Sequence, residues 1–455
     1  MSARWPEGCG EGDHEKEKAL VDDGEWDRRS LLRGAAVLAG AAATAPLLGG
    51  AATALAGSAD ADALFKAGKF EQAGRAYEEI LKTDPTNLRA ARQRGYVGLL
   101  ANQFPDAEKY LKLALQLAPD DKDANRFLAD CYIRQDKFAL SVPHWRAAGQ
   151  EGSARVFEAF RGEPYQIHGD IAQVRLLQMD PQPLVEGVSV NGGPPKRFTF
   201  YTGAASLEVS ATVAKEAGLS AVASSKMDYL NGKVWRHGGV LESFKLGGIE
   251  LRNLPVSWME WESGGDVETD RDGLIGMWVF YHLLTTCDYA GRQLILRRST
   301  PEAVGKVRVA AKRAGAEPLP LWLARENALH SRGSITGVAG STTGVVGVGF
   351  GGTGEIAAGM HEGTAKQLGI RIDYDRPVET FAHSHPAVTY PCYPKEIRLG
   401  NATAKDIYSY TNPSRPLDPN GFDAPAHFSH SFYKPYNITL DFTGMNLYIA
   451  RGPAT

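Results

Sequence analysis

The amino-acid sequence predicts a multidomain α + β protein in which a short helical array is followed by a bilobal, mostly β module. Three observations lead to this fold class. An N-terminal region repeats with a period of about 34 residues, which is typical of stacked helix pairs. The apolar spacing then changes from helical to alternating near Pro164. The rest of the chain carries one long pattern twice, which indicates two lobes of one fold.

The short period is carried by aromatic and proline positions. These positions are Phe70, Phe104, Phe138, Pro85 and Pro119. The pattern resembles the tetratricopeptide repeat, and about two and a half repeats are expected between residues 60 and 150, with the third copy degrading at Pro143. Such an array either docks a protein partner or serves as a helical platform, and the docking role is favoured.

The longer repeat joins two stretches that begin with an apolar strand. The stretch FTFYTGAASLEVSATVAKEAGL around Tyr201 recurs as VGFGGTGEIAAGMHEGTAKQLGI around Gly352. The closing run CDYAGRQLILR likewise recurs as LDFTGMNLYIAR. This alignment pairs Thr202-Gly203 with Thr353-Gly354.

Both lobes resemble the aspartic protease superfamily, in particular its retroviral-type branch. The strand, the Thr-Gly turn, the helix ending in Gly-Leu, the segment DGLIGMW from Asp272 to Trp278 and the last strand carry the resemblance over residues about 180 to 452. It implies two lobes related by an approximate twofold axis, in place of the homodimer of single-lobe relatives, with a ligand cleft between them.

The chain departs from this family at the two catalytic aspartates, where it has Tyr201 and Gly352. Aspartic proteolysis needs two carboxylates that share one proton. A tyrosine hydroxyl, with a pKa near ~10, is neutral at physiological pH, and glycine has no side chain. The sequence therefore predicts that the carboxylate dyad is lost.

We therefore expect a pseudoprotease that binds an elongated peptide-like or small-molecule ligand in its cleft. The residues expected to line this cleft are Tyr201, Thr202, Gly203, Ala204, Gly352, Thr353, Gly354, Glu355, His383 and His385. Two alternatives remain open. A repurposed isomerase, cyclase or lyase would use Tyr201 with a histidine or Glu355. A residual aspartic-type peptidase would recruit Glu355 with Asp272 or Glu208.

Two further motifs suggest a metal or a cofactor, and packing accounts for both more simply. The weak metal-ligand candidates are His383, His385, His427 and His430, in HxH and HxxH spacing. The glycines at 347, 349 and 352 match a dinucleotide fingerprint, but no βαβ pattern surrounds them. We expect neither a cofactor nor a metal.

The segment 1–56 resembles a twin-arginine export signal. Arg28-Arg29 precede two leucines and an alanine-rich segment, which favours cleavage near Ala56 over an uncleaved membrane anchor. Periplasmic or extracellular location is therefore expected. A net charge of -3 and the lack of a long apolar run after the leader argue against nucleic acid as a partner and against stable membrane insertion.

The predicted domains follow from these boundaries. They are the signal peptide at 1–56, the helical repeats at 57–155, a connector at 156–180, lobe one at 181–299, a helical linker at 300–332 and lobe two at 333–455. After loss of Cys9 with the leader three cysteines remain, and a disulfide between Cys287 and Cys392 stays open.

Overall fold

A computed structural model describes most of the chain after the predicted leader, which itself lies outside the described residues. The described ranges are 60–180, 182–229, 232–267, 270–325, 328–351, 355–382, 385–413 and 417–454. Within them no helix combines the length and the apolar character needed to cross a bilayer.

The N-terminal part is an array of antiparallel helices. It begins with a helical turn over residues 60–66 and continues with Phe70–Thr83, Leu88–Leu100, Phe104–Leu117, Lys122–Ile133, Phe138–Ala147 and Glu151–Glu158. Two helices start after equivalent caps one repeat apart, because Asn87 and Asp121 accept hydrogen bonds from the backbone N–H groups of Ala90 and Ala124 at 3.0 and 2.7 Å. The third copy does not break at Pro143, which lies inside its helix.

The first β region follows this array directly. Its strands are β1 Gln166–His168, β2 Ile171–Arg175, β3 Leu184–Val190, β4 Lys196–Phe200, β5 Leu207–Ser210, β6 Ala223–Tyr229, β7 Gly232–Leu246, β8 Ile249–Trp261, β9 Gly273–Ile275, β10 Leu283–Asp288 and β11 Gln293–Arg298. Its helices are Ala211–Glu216 and Met277–Tyr281.

The second β region follows the helix Pro301–Arg313. Its strands are β12 Leu319–Pro320, β13 Trp322–Leu323, β14 Leu329–Thr336, β15 Ser341–Val348, β16 Ala358–His361, β17 Arg371–Ile372, β18 Val378–Ala382, β19 His385–Tyr393, β20 Glu396–Leu399, β21 Ala402–Lys405, β22 Ser409–Asn412, β23 Ala426–Phe428, β24 Tyr436–Asp441 and β25 Asn446–Arg451. Its helices are Glu362–Gln367 and His430–Tyr433.

The two β regions use the same succession of strand pairings. In the first, β4 is parallel to β9, β9 is antiparallel to β5, and β5 is parallel to β8. In the second, β15 is parallel to β23, β23 is antiparallel to β16, and β16 is parallel to β22. Each region also carries a hairpin, β6–β7 in the first and β18–β19 in the second. We call these regions lobe one and lobe two.

A six-stranded sheet joins the lobes. Its strand order is β12-β25-β24-β10-β11-β2, so the closing hairpin of each lobe lies side by side with that of the other. β10 and β24 are antiparallel, with Thr286 opposite Thr439. One continuous apolar cluster runs through both lobes, from Phe198 to Phe428. The loops through which the two lobes contact each other are therefore held by one shared sheet and one close-packed core.

The helical array shares a core with lobe two. Phe422 of lobe two packs against Phe70 and Phe65 of the array, with ring centroids 5.0 and 6.0 Å apart. Trp322 also packs on Phe70, at 5.1 Å. The buried Arg134 guanidinium donates to the backbone carbonyls of Leu323 and Ala324, among others. The array is thus built into the β module.

Candidate functional site

The loop that follows β4 presents Tyr201 where the lobes meet. The Tyr201 N–H donates to the Ile275 carbonyl at 3.1 Å, which continues the β4–β9 pairing by one residue, and the Ala204 N–H donates to the Tyr201 carbonyl at 3.1 Å to close a turn. The tyrosine ring lies over Gly203, because a Cβ added at Gly203 would collide with it. Tyr201 is half-buried.

The strand pairings make Gly349 the structural equivalent of Tyr201. Phe200 pairs with Ile275 in lobe one as Val348 pairs with Phe428 in lobe two. The Gly349 N–H donates to the Phe428 carbonyl at 2.9 Å, which repeats the bond made by Tyr201. These pairings favour Gly349 over Gly352, which the sequence alignment predicts, as the equivalent of Tyr201.

The physical reason is an insertion in the second loop. Phe350 stands at the position of Thr202, one place after the equivalent strand end. Ile356 stands at the position of Ala205, because the Ser431 N–H donates to the Ile356 carbonyl as that of Trp278 donates to Ala205. The loop between these positions is longer in lobe two than in lobe one. Gly352, Thr353 and Gly354 are outside the described residues.

A buried hydroxyl ties the two loops together. Thr202 is 2% exposed, and its Oγ1 accepts a hydrogen bond from the Phe350 N–H at 2.9 Å. The Thr202 N–H donates to the Phe350 carbonyl at 3.1 Å. Tyr201 directly precedes Thr202, and Gly349 directly precedes Phe350. The Cα atom of each therefore lies about 3.8 Å from the Cα atom of a residue in this bonded pair. The two positions therefore flank the contact between the lobes.

An imidazole lies beside Gly349. The His427 ring rests on β15, where a Cβ at either Gly347 or Gly349 would collide with it. His427 is the central residue of β23 and pairs with Gly347. The glycines at 347 and 349 therefore make room for this ring, and their strand is part of the β14–β15 antiparallel hairpin and not of a βαβ unit. From the sequence, His427 was only a weak metal candidate.

The acidic candidates have structural contacts elsewhere. The Asp272 carboxylate accepts from the Arg197 N–H at 2.7 Å. Arg197 is four residues before Tyr201 on β4, which is about 13 Å at about 3.3 Å per residue. The Glu355 carboxylate is 2.9 Å from the Lys434 ammonium, and its side chain is 71% exposed.

Glu208 lies two strands away from β4, on β5. Burial raises its pKa, and Arg236, at 3.8 Å, opposes that rise. The contacts of these three carboxylates therefore do not bring any of them to Tyr201 in the part of the chain that the structure describes.

His430 is fully buried at the start of the helix His430–Tyr433. Its Nε2 is 3.2 Å from an Asp180 carboxylate oxygen, and its Nδ1 has no partner among the described residues. Burial lowers the pKa of His430 despite the Asp180 contact. The neutral ring therefore donates from Nε2, because protonation would bury an unbonded N–H.

The metal candidates do not form one site in the described residues. No group of three or more His, Cys, Asp or Glu side chains there is arranged to hold an ion. His383 and the side chain of His385 lie outside the described residues. His427 contacts the β15 glycines, whereas His430 faces Asp180.

All three cysteines of the described chain are free and buried. Cys287 and Cys392 are therefore not bridged to each other. Burial raises the pKa of Cys131 to about 12 and that of Cys392 to about 12, and it raises the pKa of Cys287 as well. Their thiols stay protonated at neutral pH and are not nucleophiles.

Comparison with known families agrees with this architecture. Residues 187–279 match a family model described as aspartyl protease, and residues 58–122 and 99–152 match one described as tetratricopeptide repeat. The chain therefore carries tetratricopeptide repeats followed by an aspartyl protease-like domain. A search of curated proteins found no match.

Solved structures match over about a fifth of the chain. A mutant of MamA has 18% identity and a TM-score of 0.21, covering 22% of this chain and 72% of that chain. A mutant of the Thermobaculum terrenum O-GlcNAc transferase has 20% identity and a TM-score of 0.22, covering 23% and 20%. The first tetratricopeptide domain of Spaghetti, bound to an HSP90 peptide, has 20% identity and a TM-score of 0.21, covering 22% and 80%.

Proposed function

We propose that this protein is an exported pseudoprotease, built by duplication of one lobe, whose cleft binds an extended peptide-like ligand without hydrolysing it. The observation that carries the proposal is the pair of residues flanking the contact between the lobes. Tyr201 and Gly349 occupy the two equivalent strand ends there, and neither has a carboxylate. Water activation by a shared-proton dyad therefore has no acid pair at these positions.

The hairpins of the two lobes support the proposal that the ligand is extended. β6 is the terminal strand of the eight-stranded sheet, and β18 pairs with β19 at the side of the main strand path of lobe two. Exposed apolar side chains stand on both hairpins, at Trp235, Val378 and Val388. A strand with a free edge hydrogen-bonds an extended peptide backbone, and neighbouring apolar side chains contact the side chains of that peptide.

A dyad-restoring variant tests the loss of hydrolysis. Because a Cβ at Gly349 would collide with the His427 ring, the aspartates are introduced together with His427→Ala. Wild-type protein and the variant Tyr201→Asp/Gly349→Asp/His427→Ala are incubated with a peptide library from acid to neutral pH, and products are identified by mass spectrometry. The wild type is expected to leave the library intact. Wild-type cleavage that peaks in acid and is blocked by a transition-state peptide mimic would refute the proposal.

The matched control for this variant is Tyr201→Asn/Gly349→Asn/His427→Ala. It has the same shape as the aspartate pair without the charges, so any cleavage gained only by the aspartate pair is assigned to the carboxylates. Ligand binding is measured in parallel by fluorescence polarisation with labelled library peptides. Binding is expected to persist in Tyr201→Phe.

A second candidate is acid–base chemistry by Tyr201 and His427. It is favoured by one observation, the imidazole that lies beside Gly349 while Tyr201 holds the equivalent position. A hydroxyl and a neutral imidazole form a proton donor and acceptor pair. A ligand recovered from the wild type in altered form, but unaltered from Tyr201→Phe, would favour this enzyme over a binding protein.

The array adds a surface for a protein partner. Phe65, Phe70 and Arg134 already contact lobe two, so a partner would use the remaining faces of the helices. Tetratricopeptide arrays commonly offer such surfaces. We place the mature protein outside the cytoplasm on the basis of Arg28-Arg29 in the leader.

A further inference from the structure

A cavity lies away from Tyr201 and Gly349, under the sheet that joins the lobes. It has a volume of about 650 Å³ and is bounded by the helix Pro301–Arg313 on one side and by β10, β11, β24 and β25 on the other. Its floor includes Thr286, Arg297, Thr439 and Tyr448. The residues that line it do not include the loop residues next to Tyr201 or Gly349.

The floor of this cavity is polar where a covered sheet face is ordinarily apolar. Arg297 Nη1 donates to the Thr286 hydroxyl at 3.1 Å, and that hydroxyl is 2.9 Å from the Thr439 hydroxyl. Thr286 and Thr439 are 2% and 5% exposed. Whichever threonine donates in their shared bond, the other hydroxyl keeps a hydrogen to donate into the cavity.

Among the cations that line this cavity, Arg297 has no acidic partner in the described residues. Arg298 has Asp170 at 3.4 Å, and Lys306 has Glu302 at 2.6 Å. No carboxylate of the described residues lies within ion-pair distance of Arg297, and burial lowers its pKa. A half-buried guanidinium without a counter-charge is unfavourable, so an anion that enters the cavity gains a charge-assisted bond.

The wall opposite the floor is mostly made of small apolar residues. The linker helix contributes Ala303, Val307, Ala310 and Ala311, and Ala314 directly follows it; their short side chains leave the space unfilled. Glu302 and Lys306 also line this wall, as an ion pair at 2.6 Å. A volume of about 650 Å³ falls in the range of about 300 to 1,000 Å³ found for small-molecule sites. The cavity therefore offers one cationic end and one apolar body.

We propose that this cavity binds an amphipathic monocarboxylate. Its carboxylate receives hydrogen bonds from Arg297 and from a threonine hydroxyl, while its apolar part lies under the alanine face of the linker helix. A free aliphatic acid and the C-terminus of a short apolar peptide share this chemistry. The proposal is independent of the cleft function, because it uses no residue of the cleft.

Isothermal titration of the full mature chain tests the proposal with paired probes. Octanoate is compared with octanol, and acetyl-Leu-Val free acid with its amide. At least one acid is expected to bind saturably and at least about tenfold more tightly than its uncharged partner. The acid that binds more tightly shows whether the natural ligand is an aliphatic acid or a peptide C-terminus. The proposal is overturned if neither acid binds saturably.

Variants assign the binding to this cavity. Arg297→Gln is expected to weaken the acid at least about tenfold. Arg308→Gln removes an exposed charge from the same helix and is expected to bind as the wild type does. Ala310→Leu fills the cavity while keeping Arg297, so it is expected to weaken binding even if Arg297→Gln does not fold. Unchanged affinity in Arg297→Gln or Ala310→Leu would refute the assignment.

Discussion

Thr202 shows how much of the contact between the lobes depends on one hydroxyl. Its Oγ1 accepts from the Phe350 N–H, and its own N–H donates to the Phe350 carbonyl. The Gly351 N–H donates to the Tyr289 hydroxyl at 2.8 Å and adds a second link between the lobes. These bonds fix the residues on either side of the contact between the lobes without using a carboxylate.

Thr202→Val is expected to destabilise the protein by about 1–3 kcal/mol, because it leaves the buried Phe350 N–H without an acceptor. Thr202→Ser retains the hydroxyl and serves as the control, with a smaller effect. The free energy of unfolding from urea titration measures both. Equal stability of the valine variant and the wild type would show that the hydroxyl does not support the contact.

His430 predicts a dependence of stability on pH. Because burial lowers its pKa in the folded chain, its contribution to stability is complete above its ordinary pKa of 6.5 and is lost as the pH falls through the folded value. His430→Gln should reduce this loss, by about 1.4 kcal/mol for each unit of pKa shift.

Denaturant titrations at a series of pH values from neutral to acid measure this slope. Burial also lowers the pKa of His144, so part of the slope remains in the His430 variant. His168→Gln changes an exposed histidine and is the matched control. An identical slope in His430→Gln and the wild type would contradict the assignment.

The residues at the contact between the lobes were only partly predictable from the sequence. Tyr201 could be placed because it directly follows an apolar strand. Its partner could not, since Thr353-Gly354 repeat the letters of Thr202-Gly203 further along the loop than the structural equivalent. The pairing of β15 with β23 sets the strand register, and this register makes Gly349 the equivalent of Tyr201. The position of His427 beside Gly349 depends on the same pairing, and no local feature of the sequence around His427 predicts it.

Single elements were predicted best where a period repeats. The regular aromatic spacing predicts a helical repeat, and the structure has such repeats, with helices that begin at Phe70, Phe104 and Phe138. The residues of lobe two that contact the array follow no such period. Phe422 and Trp322 follow irregular stretches of lobe two, and their packing on the array is a tertiary contact between distant segments.

Phe422→Ala is expected to cost about 3–5 kcal/mol, because the fully buried ring fills space between Phe65, Phe70 and His330. Phe422→Leu keeps most of the apolar volume and should cost less. Chemical denaturation followed by circular dichroism compares the two. A loss below about 1 kcal/mol for the alanine variant would mean that the site collapses readily or that this contact is dispensable.

At the scale of the molecule, the array and the lobes form one structural unit over the described residues after 59. The six-stranded sheet couples lobe one to lobe two, and a second apolar cluster couples the array to Ala324, Val345 and Phe422 of lobe two. Since a shared core loses its packing when either part opens, the parts should unfold together.

Calorimetry measures this cooperativity as the ratio of calorimetric to van't Hoff enthalpy, which is expected to be about one for the mature chain. Arg134→Met combined with Phe422→Ala removes the guanidinium bonds to Leu323 and Ala324 together with the aromatic contact. This double variant is expected to separate the array from the lobes into two transitions. Arg308→Gln, on an exposed face, should keep one. Two transitions in the wild type would show that the array is an independent domain attached to the lobes and does not share their core.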